Sequence, residues 1–127
     1  MTTKKRAPAK KKQPTLPVLV RYKGKGQPSK PDWHIHDLVA IFPTIAGNYM
    51  QHTMQCYSPV GEHATCVDGY VGKYTKPATP EQVNAMLTHL KSRQGYQGVN
   101  LRAVSRISRH HRAERVRQLR QAGYRVS

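Results

Sequence analysis

Three sets of residues in this 127-residue chain have the types and spacing to do chemistry. The first is His34-Ile35-His36, inside the stretch DWHIHDLVAIFP from Asp32 to Pro43. In an extended chain alternate residues share a face, which groups His34 and His36 with Asp32, Leu38, Ala40 and Phe42. The second is His52, Cys56, His63 and Cys66, spaced H-x3-C-x6-H-x2-C. Imidazole and thiolate suit tetrahedral zinc. That spacing is not a standard finger, and two reduced, buried thiols near surface histidines is the plainer reading. The third set is arginine: Arg102, Arg106, Arg109, Arg112, Arg115, Arg117 and Arg120 crowd the C-terminal quarter. Guanidinium forks match phosphate oxygens and guanine edges better than ammonium groups do.

The elements that must position these residues follow from pattern. LVAIF (38–42), closed by Pro43, reads as a strand buried on both faces, and 35–42 as its full extent. Pro17 to Tyr22 reads as a short edge strand. Met50 to Tyr57 and His63 to Val71, the latter broken at Asp68-Gly69, complete a three-stranded antiparallel meander. Thr79, Pro80 and Gln82 form an N-cap, first-turn proline and capping box. Val83, Met86, Leu87 and Leu90 then mark a helix expected to stop at Gly95. Val99 to Ser108 fits a strand better than a helix, because Ser108 is a good N-cap for a second helix over Arg109 to Ala122, ended by Gly123. Val116 and Leu119 set the packing stripe of that helix. The expected fold is a small α+β domain, an antiparallel sheet with two helices. A winged helix-turn-helix C-terminal half, with Arg109–Arg120 in a major groove, is the alternative.

Charge narrows the function classes. The formal net charge is +16, with hydrophobic residues at 37%. Residues 1–30 hold ten Lys/Arg and no acid; 31–79 hold two against four acids; 80–127 hold ten against two. Two cationic ends around a near-neutral centre repel each other unless a polyanion neutralises them. Residues 1–16 are a low-complexity Lys/Pro/Ala segment expected to be disordered when free. Lys4, Lys5, Arg6, Lys10, Lys11 and Lys12 would make it a phosphate-binding arm ahead of a single domain, 17–127. No apolar run approaches a membrane span, and no secretory leader pattern follows the basic start. A cytoplasmic nucleic-acid binder, DNA rather than RNA and with no membrane partner, is the expectation. Tyr22, Tyr96 and Tyr124 leave RNA open. Gly24-Lys25-Gly26 lacks the spacing of a phosphate-cradling loop, so no cofactor, resident metal or catalytic residue is assigned. Oligomeric state is not legible.

His34-Ile35-His36 resembles the His-hydrophobe-His motif of HUH endonucleases, and Tyr70-Val71-Gly72-Lys73 resembles their Tyr-x-x-Lys nucleophile motif. The resemblance implies a divalent metal held by the two imidazoles and attack of a tyrosine on a scissile phosphate of single-stranded DNA. That family sets its tyrosine on a helix, and Gly69 and Gly72 argue against one here. Phe42-Pro43, Cys56-Tyr57, Val60-Gly61-Glu62-His63 and Ala78-Thr79-Pro80-Glu81 are similar to segments of small uncharacterised proteins of bacterial phages and plasmids. That likeness implies a mobile-element origin and an accessory or regulatory role, with no defined activity.

Overall fold

A computed structural model describes residues 15–59 and 62–126. These described residues form one mixed sheet and three α-helices. In order these are β1 (Thr15–Tyr22), β2 (Leu38–Phe42), β3 (Thr53–Ser58), β4 (Glu62–Val67), α1 (Asp68–Tyr74), β5 (Lys76–Pro77), α2 (Pro80–Lys91), β6 (Asn100–Val104) and α3 (Arg109–Gln121). The class is α+β. The expected meander is β2–β3–β4, with Ile41 opposite Cys56 and Cys56 opposite Ala64.

β1 is central rather than an edge strand. It pairs antiparallel with β2 from Leu19↔Ile41 to Tyr22↔Leu38, and parallel with β6 from Thr15↔Asn100 to Leu19↔Val104. β5 continues β6's side of β1 at Arg21 and Tyr22. Proline has no N–H to give a ladder, which confines it to places where a strand has a free side. The rule holds locally: β2 joins β1 only from Leu19, so at Pro17 β6 is the one neighbouring strand. Thr15 and Leu16 also belong to β1, which moves the start of the folded body two residues earlier than expected.

Alternation along β1 and β2 divides the core. Val18, Val20, Tyr22, Leu38, Ala40 and Phe42 join Tyr57, Met86 and Leu90 on the face covered by α2. Leu19, Val39, Ile41, Met54, Cys56 and Cys66 form the other face, packed by Tyr70 and Val71 of α1 and by Val104 and Ile107. Every residue of β2 is buried. Side chains of this kind contribute roughly 1.5–3 kcal/mol each when fully enclosed.

α2 has the expected start. Thr79 Oγ1 accepts from the Gln82 amide (3.3 Å) and Gln82 Oε1 from the Thr79 amide (2.8 Å). Gln82 is itself buried, because its Nε2 also donates to the Pro28 carbonyl at 2.7 Å. The helix stops at Lys91 with Ser92 as its cap, before Gly95. Gly95 instead sits in a single 3-10 turn, Gln94–Tyr96, which carries the Tyr96 ring onto Phe42 (centroids 5.5 Å apart, planes 12° apart).

Two further expectations change. Asp68–Tyr74 is a helix despite Gly69 and Gly72. A helical glycine costs about 1 kcal/mol relative to alanine. Here tertiary bonds offset it: Arg21 donates through Nε to Thr75 Oγ1 (2.9 Å) and through Nη2 to the Val71 and Thr75 carbonyls (3.3 and 3.2 Å). Residues 100–104 are a strand, which leaves no helix–short helix–helix series for a winged helix-turn-helix. That strand ends at Val104, so Ile107 falls out of register and packs with Val104, on the opposite sheet face from Leu101.

Candidate nucleic-acid interface

α3 starts on a capping box. Ser108 Oγ accepts from the His111 amide (3.3 Å), and His111 Nδ1 accepts from the Ser108 amide (3.0 Å). Its buried residues are Arg115 and Leu119, with Val116 half-buried, so the inward stripe differs from the expected Val116/Leu119 pair. Arg115 is 0% exposed. Its Nη1 donates to the Gln51 carbonyl (2.7 Å) and the Thr53 carbonyl (3.3 Å). Its Nη2 lies 3.1 Å from Asp68 Oδ1, a contact of charge rather than an aligned hydrogen bond. Burial pushes the Arg115 pKa down and Asp68 pushes it back up, and a guanidinium stays charged throughout. Arg115 is therefore an internal clamp, closed to any external partner. The sequence placed Arg115 among the arginines offered to a nucleic acid; the acid that permits it inside, Asp68, is adjacent only in space.

The other arginines divide by partner. Arg112 reaches Asp68 Oδ2 at 3.3 Å and stays half exposed. Arg117 holds Glu114, with Nε–Oε1 at 2.9 Å, and Gln121 Oε1 at 3.1 Å. The Arg117 hydrogen bond is the main reason the Glu114 carboxyl titrates below its usual range. Arg102, Arg106, Arg109 and Arg120 are exposed and have no ion pair among the described residues. Arg109 and Arg120 are eleven residues apart, three turns, and so lie on one outward stripe with Ala113 between them, roughly 16 Å from end to end.

Lys4, Lys5, Arg6, Lys10, Lys11 and Lys12 lie outside the described residues. The place where that segment joins the fold is visible. Thr15, Leu16 and Pro17 border the same open cavity as Glu114 and Gln118 of α3. Beyond the far end of α3, Tyr124 stacks on Tyr49 (6.1 Å, 25°), and both residues stay exposed.

The histidine and cysteine patterns do not assemble as centres. His34 and His36 precede β2 rather than forming part of it. His34 Nδ1 accepts from the His36 amide (3.2 Å) and Asp37 Oδ2 from the His34 amide (2.9 Å), closing the 3-10 turn Ile35–Asp37. Tyr70 and Lys73 do sit on a helix, as in the family they resemble. Tyr70, however, packs on the opposite sheet face from Trp33 and Ile35, the histidines' neighbours. Cys56 and Cys66 also face the α1 side, whereas His63 stands across from Tyr57, a residue of the α2 face. His52 lies in the turn before β3. Among the described residues no three His, Cys, Asp or Glu side chains converge on a metal position. Both cysteines are reduced and buried. A hydrogen bond from Cys66 is the main cause that brings Cys56 down to about 7, and the same bond pushes Cys66 up.

No family model matches the chain, and no curated protein or solved structure is similar to it at a significant level. Among the described residues no helix is long and apolar enough to cross a membrane. The candidate site therefore stands on its own geometry: a helix clamped from beneath by Arg115 and presenting arginines above.

Proposed function

We propose that this chain binds nucleic acid without catalysis, duplex DNA in preference to RNA, through the outward side of α3. Arg109 and Arg120 form the central stripe, Arg112 and Arg117 flank it, and Arg102 and Arg106 extend it onto β6 and the loop beyond. The basic segment before Thr15 adds phosphate contacts from beside the same helix.

The observation that carries this reading is the charge placement on α3. Its first turn holds Arg109 and Arg112 and no acid. A cation at the positive end of a helix dipole opposes its stability, and Arg109 has no ion pair among the described residues to offset that, so its charge brings the fold no benefit. A bound polyanion reverses the sign of that interaction. An exposed arginine row about 16 Å long on a helix suits the major groove of B-form DNA, whereas the major groove of A-form RNA is too narrow for a helix.

The test is a fluorescence anisotropy titration of a 20-base-pair duplex at increasing salt. Each neutralised phosphate releases counterions, so the logarithm of the affinity should fall linearly with the logarithm of salt, with a slope of about −4 or steeper. A flat response would remove the proposal.

A further inference from the structure

A second cluster lies on the opposite sheet face from α1, at the end of α2, and none of its residues contributes to the arginine row. Its floor is Tyr57, which is fully enclosed. A hydrogen bond of 2.8 Å joins the Tyr57 hydroxyl to His89 Nε2, fixing both rings. Beside it, a hydrogen bond of 2.9 Å joins the Tyr96 hydroxyl to His63 Nε2. The centroids of those two rings are 6.0 Å apart and their planes differ by 25°. Tyr96 and His63 thus present two nearly parallel aromatic surfaces tied together at their polar atoms, a platform for stacking. Phe42 backs the Tyr96 ring in a near-parallel stack. Arg93 extends over Tyr57, its guanidinium carbon 5.6 Å from the ring centre, with no acid partner among the described residues. Ser92 Oγ donates to the His89 carbonyl (2.6 Å) and, as a hydroxyl, can also accept. An open cavity of roughly 530 Å3 is lined by His63, Ser92, Arg93, Gly95 and Tyr96.

We propose that this cavity binds one unpaired nucleobase of a single-stranded segment, stacked on the Tyr96–His63 platform and held at its edge by Arg93 and Ser92. The inference rests on the reading that the chain binds nucleic acid, and it adds a second contact class to it. The platform is preoriented by its hydrogen bonds and by Phe42, so little freedom is lost on stacking. The position favours a base over a bare phosphate. The carbonyl end of α2 points here, and that end of a helix dipole disfavours an anion. An aromatic surface with a guanidinium beside it is the usual means of holding an unpaired base. A Cβ built on Gly95 meets nothing within 4 Å, so the cavity stays open at that residue for want of a side chain.

The experiment measures full-length wild type, Tyr96→Leu and Gly95→Leu against three ligands: a 12-nucleotide single strand, as DNA and as RNA; a blunt 20-base-pair duplex; and adenosine 5′-monophosphate, followed by NMR shifts of the Tyr96 and His63 ring signals. Tyr96→Leu removes the platform, and Gly95→Leu extends a side chain into the cavity from a Cβ position with no atom within 4 Å, so a folding defect in the first cannot account for loss in the second. Both should weaken single-strand binding about tenfold, the effect of one stacked base, and change duplex binding less than twofold. The DNA and RNA arms show which sugar the site accepts. Duplex binding by wild type, with no single-strand loss in either variant and no ring shifts, overturns the pocket and leaves the arginine row standing. Single-strand binding and ring shifts without duplex binding does the reverse. Equal losses on single strand and duplex also overturn the pocket, and no binding to any of the three removes both.

Discussion

Arg115 and Asp68 are forty-seven positions apart by their numbers and meet at 3.1 Å, tying the underside of α3 to the first residue of α1. The guanidinium is fully enclosed and the carboxylate is only partly so, which makes the pair unequal. Removing the acid strands a buried cation, whereas removing the cation leaves Asp68 with Arg112 and water. Asp68→Asn should therefore destabilise the protein by roughly 3 kcal/mol, the low end of the range for a broken buried pair, since Asp68 keeps some solvent contact. Arg115→Met should cost less, and the double variant less than the sum of the two. Urea unfolding of the three variants checks this; strict additivity would mean that the two side chains do not interact.

The outward arginines should behave in the opposite way. Arg109→Ala together with Arg120→Ala removes two exposed cations without a partner among the described residues. Thermal stability should change little, because Arg109 opposes the helix dipole at one end of α3 and Arg120 favours it at the other. Duplex affinity should drop, and the salt slope should shrink by about two. A variant that keeps its full salt slope would place the phosphate contacts elsewhere.

His111 provides a pH prediction. Burial is the first cause of its lowered pKa, followed by Arg115 and His110; His89 is lowered as well, again chiefly by burial. A depressed folded-state pKa means that the unfolded chain takes up the proton first. The stabilisation is thus complete above the unfolded value of about 6.5 and is lost as pH falls through the folded pKa. Melting temperature should decline on going from pH 7.5 to pH 5. His111→Glu keeps a capping partner for the Ser108 amide and places an anion at the helix start. That variant should show a shallower decline; an unchanged profile would assign the pH response to His89 or to other groups.

Gly72 lies in the middle of α1, has no positive φ, and a Cβ there meets nothing within 4 Å. Gly72→Ala should therefore stabilise the fold by about 0.4–1 kcal/mol, mainly by restricting the unfolded chain. A loss of stability in denaturant unfolding would show that the helix is held in a geometry alanine does not accept.

Removing residues 1–12 should lower duplex affinity while leaving the cooperative melting transition in place, because β1 begins at Thr15. Loss of the transition would make that segment part of the fold.

What the sequence revealed, and what it concealed, has a physical pattern. β2 and α2 were legible because their signals are local: an unbroken apolar run closed by proline, and a capping box followed by apolar residues at helical spacing. α3 was legible in extent from Ser108 and Gly123, but not in orientation, since Arg115 turns inward only because Asp68 waits across a tertiary gap. α1 was hidden because glycine propensity is local while the bonds from Arg21 that offset it come from fifty residues away. The pocket around Tyr57 was hidden for the same reason. His63, His89, Arg93 and Tyr96 form no spaced motif, and only the β3–β4 register and the 3-10 turn after α2 bring them together. The one local signal was His63 directly across from Tyr57.

The parallel pairing of β1 with β6 also has a consequence for synthesis. β1 is among the first parts of the folded body to leave the ribosome, and the strand that covers the outer edge of its first half is more than eighty residues behind it. Through most of translation, that edge carries unpaired N–H and C=O groups beside a strong apolar core, and contacts of such sequence separation form slowly. The nascent chain is therefore most prone to aggregation just before residue 104 emerges. A chain truncated ahead of β6 should be recovered mainly as insoluble protein.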